Sequence, residues 1–184
     1  MSTVFNAAIT AEQLEKMSEP GVRFELVEGE IRRMTPAGFE HGTIASRLLS
    51  MLENYVRQHD LGKTCAAETG FLLTRDPDTV RAPDAAFVSH ERIKEIPADS
   101  GSYAPIAPDL VAEVVSPNDT FAQVEEKAQF WLRCGTRMVL VVEPSNRALR
   151  VYQSEQVSFL QESDTFSAGD VVPGWQFEVA ELFQ

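Results

Sequence analysis

LVAEVVSPNDTFAQVEEKAQFWLRCG, running from Leu110 to Gly135, decides how this chain is read. Leu110 to Val115 is an apolar run broken only by Glu113, as expected of a short strand covered on both faces. Ser116-Pro117-Asn118-Asp119-Thr120 then turns the chain, with Asn118 or Asp119 the expected N-cap. Beyond it Phe121, Val124, Ala128, Trp131 and Leu132 recur at helical spacing and stop at Cys134-Gly135. A buried strand followed by an amphipathic helix is the unit of an α/β layer.

Working outward, the same alternation of elements continues. On the N-terminal side, Thr64 to Thr74, Ala82 to Val88 and Asp109 to Val115 read as three strands separated by turn-rich segments. Ahead of them Ile44, Leu48, Leu49, Leu52, Tyr55 and Val56 predict a long helix that ends by Asp60, with Gly62 behind it. Val22 to Val27 and Glu30 to Met34 form a hairpin across Glu28-Gly29. Thr3 to Pro20 predicts a short helix, capped by Thr10 with Gln13 three residues on and stopped at Pro20-Gly21. On the C-terminal side Met138 to Val142 pairs with Ala148 to Tyr152, and shorter strands are expected at Val157 to Leu160 and around Val171 and Phe177. The class is therefore α/β in the broad sense that includes α+β. Residues 1–184 are expected to form one domain, with 1–20 as an N-terminal helical extension.

Composition narrows the function. The hydrophobic fraction of 43% suits a globular core rather than disorder. No apolar run approaches the roughly 18 to 20 residues a membrane span needs, and Met1 to Thr10 lacks a signal-peptide pattern, so the cytoplasm is the expected compartment. Cys65 and Cys134 have no metal-ligand or redox spacing and read as buried thiols. The formal net charge of -12 opposes a broad nucleic-acid-binding surface, which draws on Lys and Arg clusters. A nucleic-acid enzyme with this balance needs a local cation.

Asp84 and Glu113 supply the place for one. Each carboxylate interrupts an apolar strand, a costly position unless it is paired or holds a metal. Side by side they would repel, and a divalent ion relieves that repulsion. Ligation by oxygen alone favours Mg²⁺ or Mn²⁺, with water and a substrate phosphate completing the shell. Such an ion polarises a phosphoryl oxygen and lowers the pKa of water. Lys127 lies roughly 10 to 12 Å into its helix, and Glu113 lies roughly 7 Å back from its strand end. A helix folding back over the sheet therefore carries the ammonium toward Glu113. The plain alternatives are a turn carboxylate for Asp84 and a solvated helix lysine for Lys127, whereas a surface role suits Glu113 poorly.

Pro83-Asp84 and Glu113 resemble the motif of the PD-(D/E)XK nuclease superfamily, in which Pro-Asp is followed by an acidic residue, any residue and lysine. Val115 stands where that lysine belongs, and Lys127 fits the variant in which it moves to the next helix. Over about residues 20 to 152 the chain more closely resembles the bacterial Uma-two family of restriction-endonuclease-like proteins. The matching phrases are Arg23-Phe24-Glu25-Leu26-Val27-Glu28-Gly29-Glu30, Pro36-Ala37-Gly38-Phe39-Glu40-His41-Gly42, Ala67-Glu68-Thr69-Gly70, Ala82-Pro83-Asp84, Pro108 to Pro117, and Glu126-Lys127. The resemblance implies a restriction-endonuclease-like core, with a mixed central sheet flanked by helices, and a metal-dependent nuclease activity. It also makes a homodimer plausible, since nucleases that cut both strands commonly pair.

Three residues are candidate auxiliaries. Glu25 is either a further site carboxylate or a solvent-facing strand residue. Glu68 either borders the site from its strand or is exposed. His41 either touches phosphate and assists proton transfer, or hydrogen-bonds the preceding loop. Glu125 and Glu126 read as solvated. The leading expectation is an endonuclease that uses Mg²⁺ or Mn²⁺ on nucleic acid, with DNA the first candidate. Asp84 and Glu113 would hold the ion, and Lys127 would stabilise charge. The competing expectation is a binding or assembly protein that keeps the fold without turnover. A Ser or Cys hydrolase finds no support, because the nucleophile-elbow motif is absent.

Overall fold

The computed structural model describes residues 8–17, 22–117, 119–154 and 156–184. The elements are α1 (Ala11–Lys16), β1 (Arg23–Val27), β2 (Glu30–Met34), α2 (Phe39–Gln58), β3 (Gly62–Ala66), β4 (Phe71–Thr74), β5 (Thr79–Arg81), β6 (Ala85–Ser89), α3 (His90–Ile93), β7 (Leu110–Val114), α4 (Phe121–Arg133), β8 (Met138–Glu143), β9 (Ala148–Gln153), β10 (Gln156–Gln161), β11 (Thr165–Ser167) and β12 (Gln176–Glu178). A six-stranded sheet in the order β10-β9-β8-β7-β6-β3 forms the centre. It is mixed: β7 and β8 run parallel, joined through α4, and its other neighbours are antiparallel. A four-stranded sheet, β2-β1-β5-β4, stands beside it.

Alternation along the central strands gives each face its own core. Ala85, Phe87, Leu110, Ala112, Val114, Leu140 and Val142 pack with Ile44, Leu48, Leu52 and Val56 of α2. Ala86, Val88, Val111, Val139, Val141 and Tyr152 pack with Ala128 and Trp131 of α4. Each fully covered Leu, Val or Phe contributes about 1.5–3 kcal/mol relative to exposure. The central sheet is thus flanked by α2 and α4, as the family resemblance implies. Among the described residues no helix is long and apolar enough to cross a membrane.

Several boundaries differ from expectation. Thr64 to Thr74 is two strands in two sheets, because the chain turns at Glu68, which has φ 79°, and at Gly70. A Cβ on Gly70 would lie 2.4 Å from the Tyr103 ring, so only glycine permits that approach. The strand expected from Ala82 begins at Ala85, after Pro83, which has no amide proton to give a ladder. Thr120, not Asn118 or Asp119, caps α4: its hydroxyl accepts from Gln123 N and the Gln123 side chain accepts from Thr120 N. Asp119 instead accepts from Ser116 N, and Asn118 lies outside the described residues. Thr10 and Gln13 do form the expected capping box on α1, but the ends of that predicted helix, 3–7 and 18–20, also lie outside them. Val171 sits buried in a turn rather than a strand, and the last pair is β11 with β12. Cys65 and Cys134 are free thiols, half-buried rather than buried.

Candidate functional site

Asp84 stands one residue before β6, and Glu113 one residue before the end of β7. The antiparallel register pairs Ala85 with Ala112, so one step further sets Asp84 opposite Glu113. Asp84 finishes the pairing with its side chain, Oδ2 accepting from Val114 N at 2.8 Å. Glu113 follows Val111 on the face turned to α4, where two donors meet it. Lys127 Nζ donates to Oε2 at 2.8 Å, and Trp131 Nε1 donates to Oε1 at 2.9 Å. Side-chain exposure is 12% at Glu113 and 25% at Lys127, so water screens this pair poorly.

His41, in the first turn of α2, approaches from the opposite layer, and its Nε2 lies 3.2 Å from Asp84 Oδ2. A carboxylate oxygen only accepts, so this nitrogen carries the proton. His41 Nδ1 is buried without a hydrogen-bond partner among the described residues. Glu25 enters from β1. It is 5% exposed, its Oε1 accepts from Ala82 N at 3.0 Å, and its Oε2 lies 3.7 Å from Arg81 Nη1. The Arg81 guanidinium in turn covers the Phe130 ring of α4 at 5.0 Å.

Burial and neighbouring charge shift Glu113, Lys127, Asp84 and His41. Burial, with the charge of Asp84 beside it, pushes the Glu113 carboxyl up to about 7 despite Lys127. Burial also opposes the Lys127 ammonium, but Glu113 and Glu25 outweigh it and hold its pKa above the ordinary lysine value. At Asp84 burial is overcome by His41 and the Val114 amide, so its carboxyl stays below the usual range. The hydrogen bond to Asp84 raises His41 against its burial.

Two opposed carboxylates, one of them hard to ionise, make a place where a divalent cation lowers the energy. The donor set is oxygen only, which fits Mg²⁺ or Mn²⁺. Both bonds to Asp84 fall on Oδ2, leaving Oδ1 for such an ion. Among the described residues no three His, Cys, Asp or Glu side chains gather to hold a metal by themselves. The remaining positions would fall to water and substrate, as Mg²⁺ tolerates.

The structure therefore brings Asp84, Glu113 and Lys127 together, with His41 on Asp84 and Glu25 near the pair. Glu25 is buried, not solvent-facing, and His41 bonds Asp84 rather than the preceding loop. Glu68 stays apart: it lies in a turn, its side chain is 69% exposed, and it pairs with Arg23 at 3.6 Å. Glu125 is half-buried and accepts from the Tyr152 hydroxyl at 2.8 Å, so only Glu126 is solvated as expected. Sequence reasoning missed Trp131, counted as apolar stripe, and Arg81. The available signal was spacing, since Trp131 falls four residues after Lys127, on the same helix face.

A structure described as "a putative nuclease belonging to DUF820 from Anabaena variabilis ATCC 29413" superposes with a TM-score of 0.81 at 21% identity. The alignment covers 95% of this chain and 97% of that one, a likeness of fold along nearly the whole length. No curated protein matches. The family model of Uma2, described as "Putative restriction endonuclease", matches residues 11–180. With that model spanning nearly all of the sequence, the chain belongs to the Uma2 family of restriction-endonuclease-like proteins.

Proposed function

We propose that this protein is a Mg²⁺- or Mn²⁺-dependent endonuclease that hydrolyses phosphodiester bonds in nucleic acid, DNA being the first candidate. The observation that carries this reading is the juxtaposition: Asp84 bonded to the amide of Val114, next to Glu113, with Lys127 bonded to Glu113. Asp84 Oδ1 and the Glu113 carboxylate would hold the ion, which when bound supplies Lewis-acid polarisation of the phosphoryl group. In hydrolysis the oxygen of water bonds to phosphorus as the bond to the leaving sugar oxygen breaks, the water gives up a proton to solvent and the sugar oxygen takes one up, and negative charge gathers on the phosphoryl oxygens. Lys127, kept protonated by its carboxylate neighbours, stabilises that charge. His41 and the Val114 amide fix the Asp84 carboxylate, and Trp131 closes the α4 side of the site.

The test is direct. Purified protein is incubated with supercoiled DNA, linear DNA and RNA, with and without Mg²⁺ or Mn²⁺. Cleavage that persists unchanged in Asp84→Ala or Glu113→Ala would end this mechanism. A second reading, a binding or assembly protein without turnover, draws on Val115 at the motif lysine position and on the net charge of -12. Calorimetric titration with Mn²⁺ separates the two, since tight binding lost in the Asp84 and Glu113 variants counts against it.

The reading includes a homodimer, and β10 is its proposed seam. Gln156 to Gln161 is an edge strand without a charged residue, and Val157 and Phe159 are exposed on it. The opposite edge of the same sheet carries Lys63, and β2 carries Glu30 and Arg32. Charged edges resist pairing and an uncharged one invites it. Phe159→Lys is expected to shift sedimentation from dimer to monomer. A wild type that sediments as a monomer at high concentration removes the seam.

A further inference from the structure

Glu113 is gripped at both oxygens by one helix. Lys127 reaches Oε2 and Trp131 reaches Oε1, and the two donors stand four residues apart on the same face of α4. These donors are unequal. A lysine side chain has four rotatable carbon bonds and by itself leaves a carboxylate free to turn. The Trp131 indole is rigid, 0% exposed, and packed edge-on against Phe71 of β4 with ring centroids 6.4 Å apart.

The bland account is that a buried indole N–H merely needs an acceptor. Any carbonyl oxygen would meet that need. Here the acceptor is instead the ionisable group opposite Asp84, and a neutral donor takes one oxygen while the cation takes the other. That division fixes the plane of the carboxylate and directs Oε2 to Lys127.

We propose that Trp131 is a positioning residue, whose indole N–H orients the Glu113 carboxylate for the cation it shares with Asp84. The part of this that concerns a metal ion rests on the functional reading above; the orientation of Glu113 does not. Partners that orient a metal-binding side chain typically matter by about 10- to 100-fold in metal affinity.

The experiment uses the full chain in a Trp175→Phe background, which leaves Trp131 as the sole tryptophan. Its indole N–H resonance is followed by ¹⁵N NMR, and Mn²⁺ affinity by calorimetry. Two variants remove the donor: Trp131→Phe, and replacement of Trp131 by benzothienylalanine, which keeps the ring shape and exchanges N–H for sulfur. The indole N–H is expected to be protected from solvent exchange and to lose that protection in Glu113→Ala. Mn²⁺ affinity is expected to fall roughly 10- to 100-fold in the benzothienyl variant, with its thermal midpoint close to the parent's. Trp131→Phe, which also leaves a void, should lose at least as much affinity. An indole resonance indifferent to Glu113→Ala overturns the proposal. So does a benzothienyl variant that binds Mn²⁺ as tightly as the parent. If the parent itself binds no Mn²⁺, the metal reading fails, and the indole response to Glu113→Ala alone decides whether Trp131 orients that carboxylate.

Discussion

Ala82-Pro83-Asp84 and Ala107-Pro108-Asp109 are the same phrase set before two neighbouring strands, and locally they do the same thing. Asp84 precedes β6 and accepts from the amide of Val114, the last residue of β7. Asp109 precedes β7 and accepts from the amide of Ser89, the last residue of β6, also at 2.8 Å. Each carboxylate closes the end of the other's strand. What differs is the company. Arg92 and Arg137 stand 3.4 and 3.9 Å from Asp109, which satisfies its charge within the protein. Asp84 has one histidine and faces Glu113 across the ladder. Two residues of one type and one backbone role thus differ in their company: two arginines beside one, a histidine and a second carboxylate beside the other.

The largest expected consequence of this contrast is in turnover. Asp84→Ala should lower Mn²⁺-dependent cleavage of supercoiled DNA by about 10³-fold, while Asp109→Ala should leave the rate per folded molecule within about threefold. Equal losses at both positions would erase the distinction. Stability should respond in the reverse order. Asp109→Ala leaves the Ser89 amide without its acceptor and Arg92 without its carboxylate, while Arg137 keeps Asp170, and is expected to cost about 3 kcal/mol in denaturant unfolding. Asp84→Asn, whose amide oxygen can still accept from Val114, should cost about 1 kcal/mol.

The smallest effect concerns pH. His41 is raised by its bond to Asp84, so the stability it contributes is full below its unfolded value and is lost as pH rises through the folded one. The stability difference between wild type and His41→Gln should therefore be greater near about pH 6 than near about pH 8. A difference that grows toward alkaline pH would contradict this coupling.

The pattern of legibility follows from the range of the forces involved. The hairpin, α2, the buried run at β7 and α4 were readable because each rests on periodicity or on a turn residue within a few positions. Asp84 and Glu113 stood out because carboxylates among Val, Ala and Phe are costly. The division of Thr64 to Thr74 was hidden, since it depends on Tyr103 lying against Gly70 from elsewhere in the chain. Alternation left Glu25 open between the site and solvent, and its burial against Ala82 N depends on where the chain leaves β5 beside β1. Trp131 was obscured by its own bulk: an indole in an apolar stripe reads as packing, and its one polar atom acts only through a partner brought by the fold.

That bond from Ala82 N to Glu25 also has a mechanical side. The four-stranded sheet contributes no side chain to the pairing of Asp84 with Glu113, yet Glu25 holds the peptide two residues before Asp84. Force applied at the β1–β2 hairpin, by a docked molecule or by tension on the chain, reaches the segment ahead of Asp84 through that bond, through the Leu26–Val80 pairing of β1 with β5 and through Gly29 N, which donates to Asp78 O. Strain in the small sheet is thereby coupled to the backbone that carries Asp84 into the site.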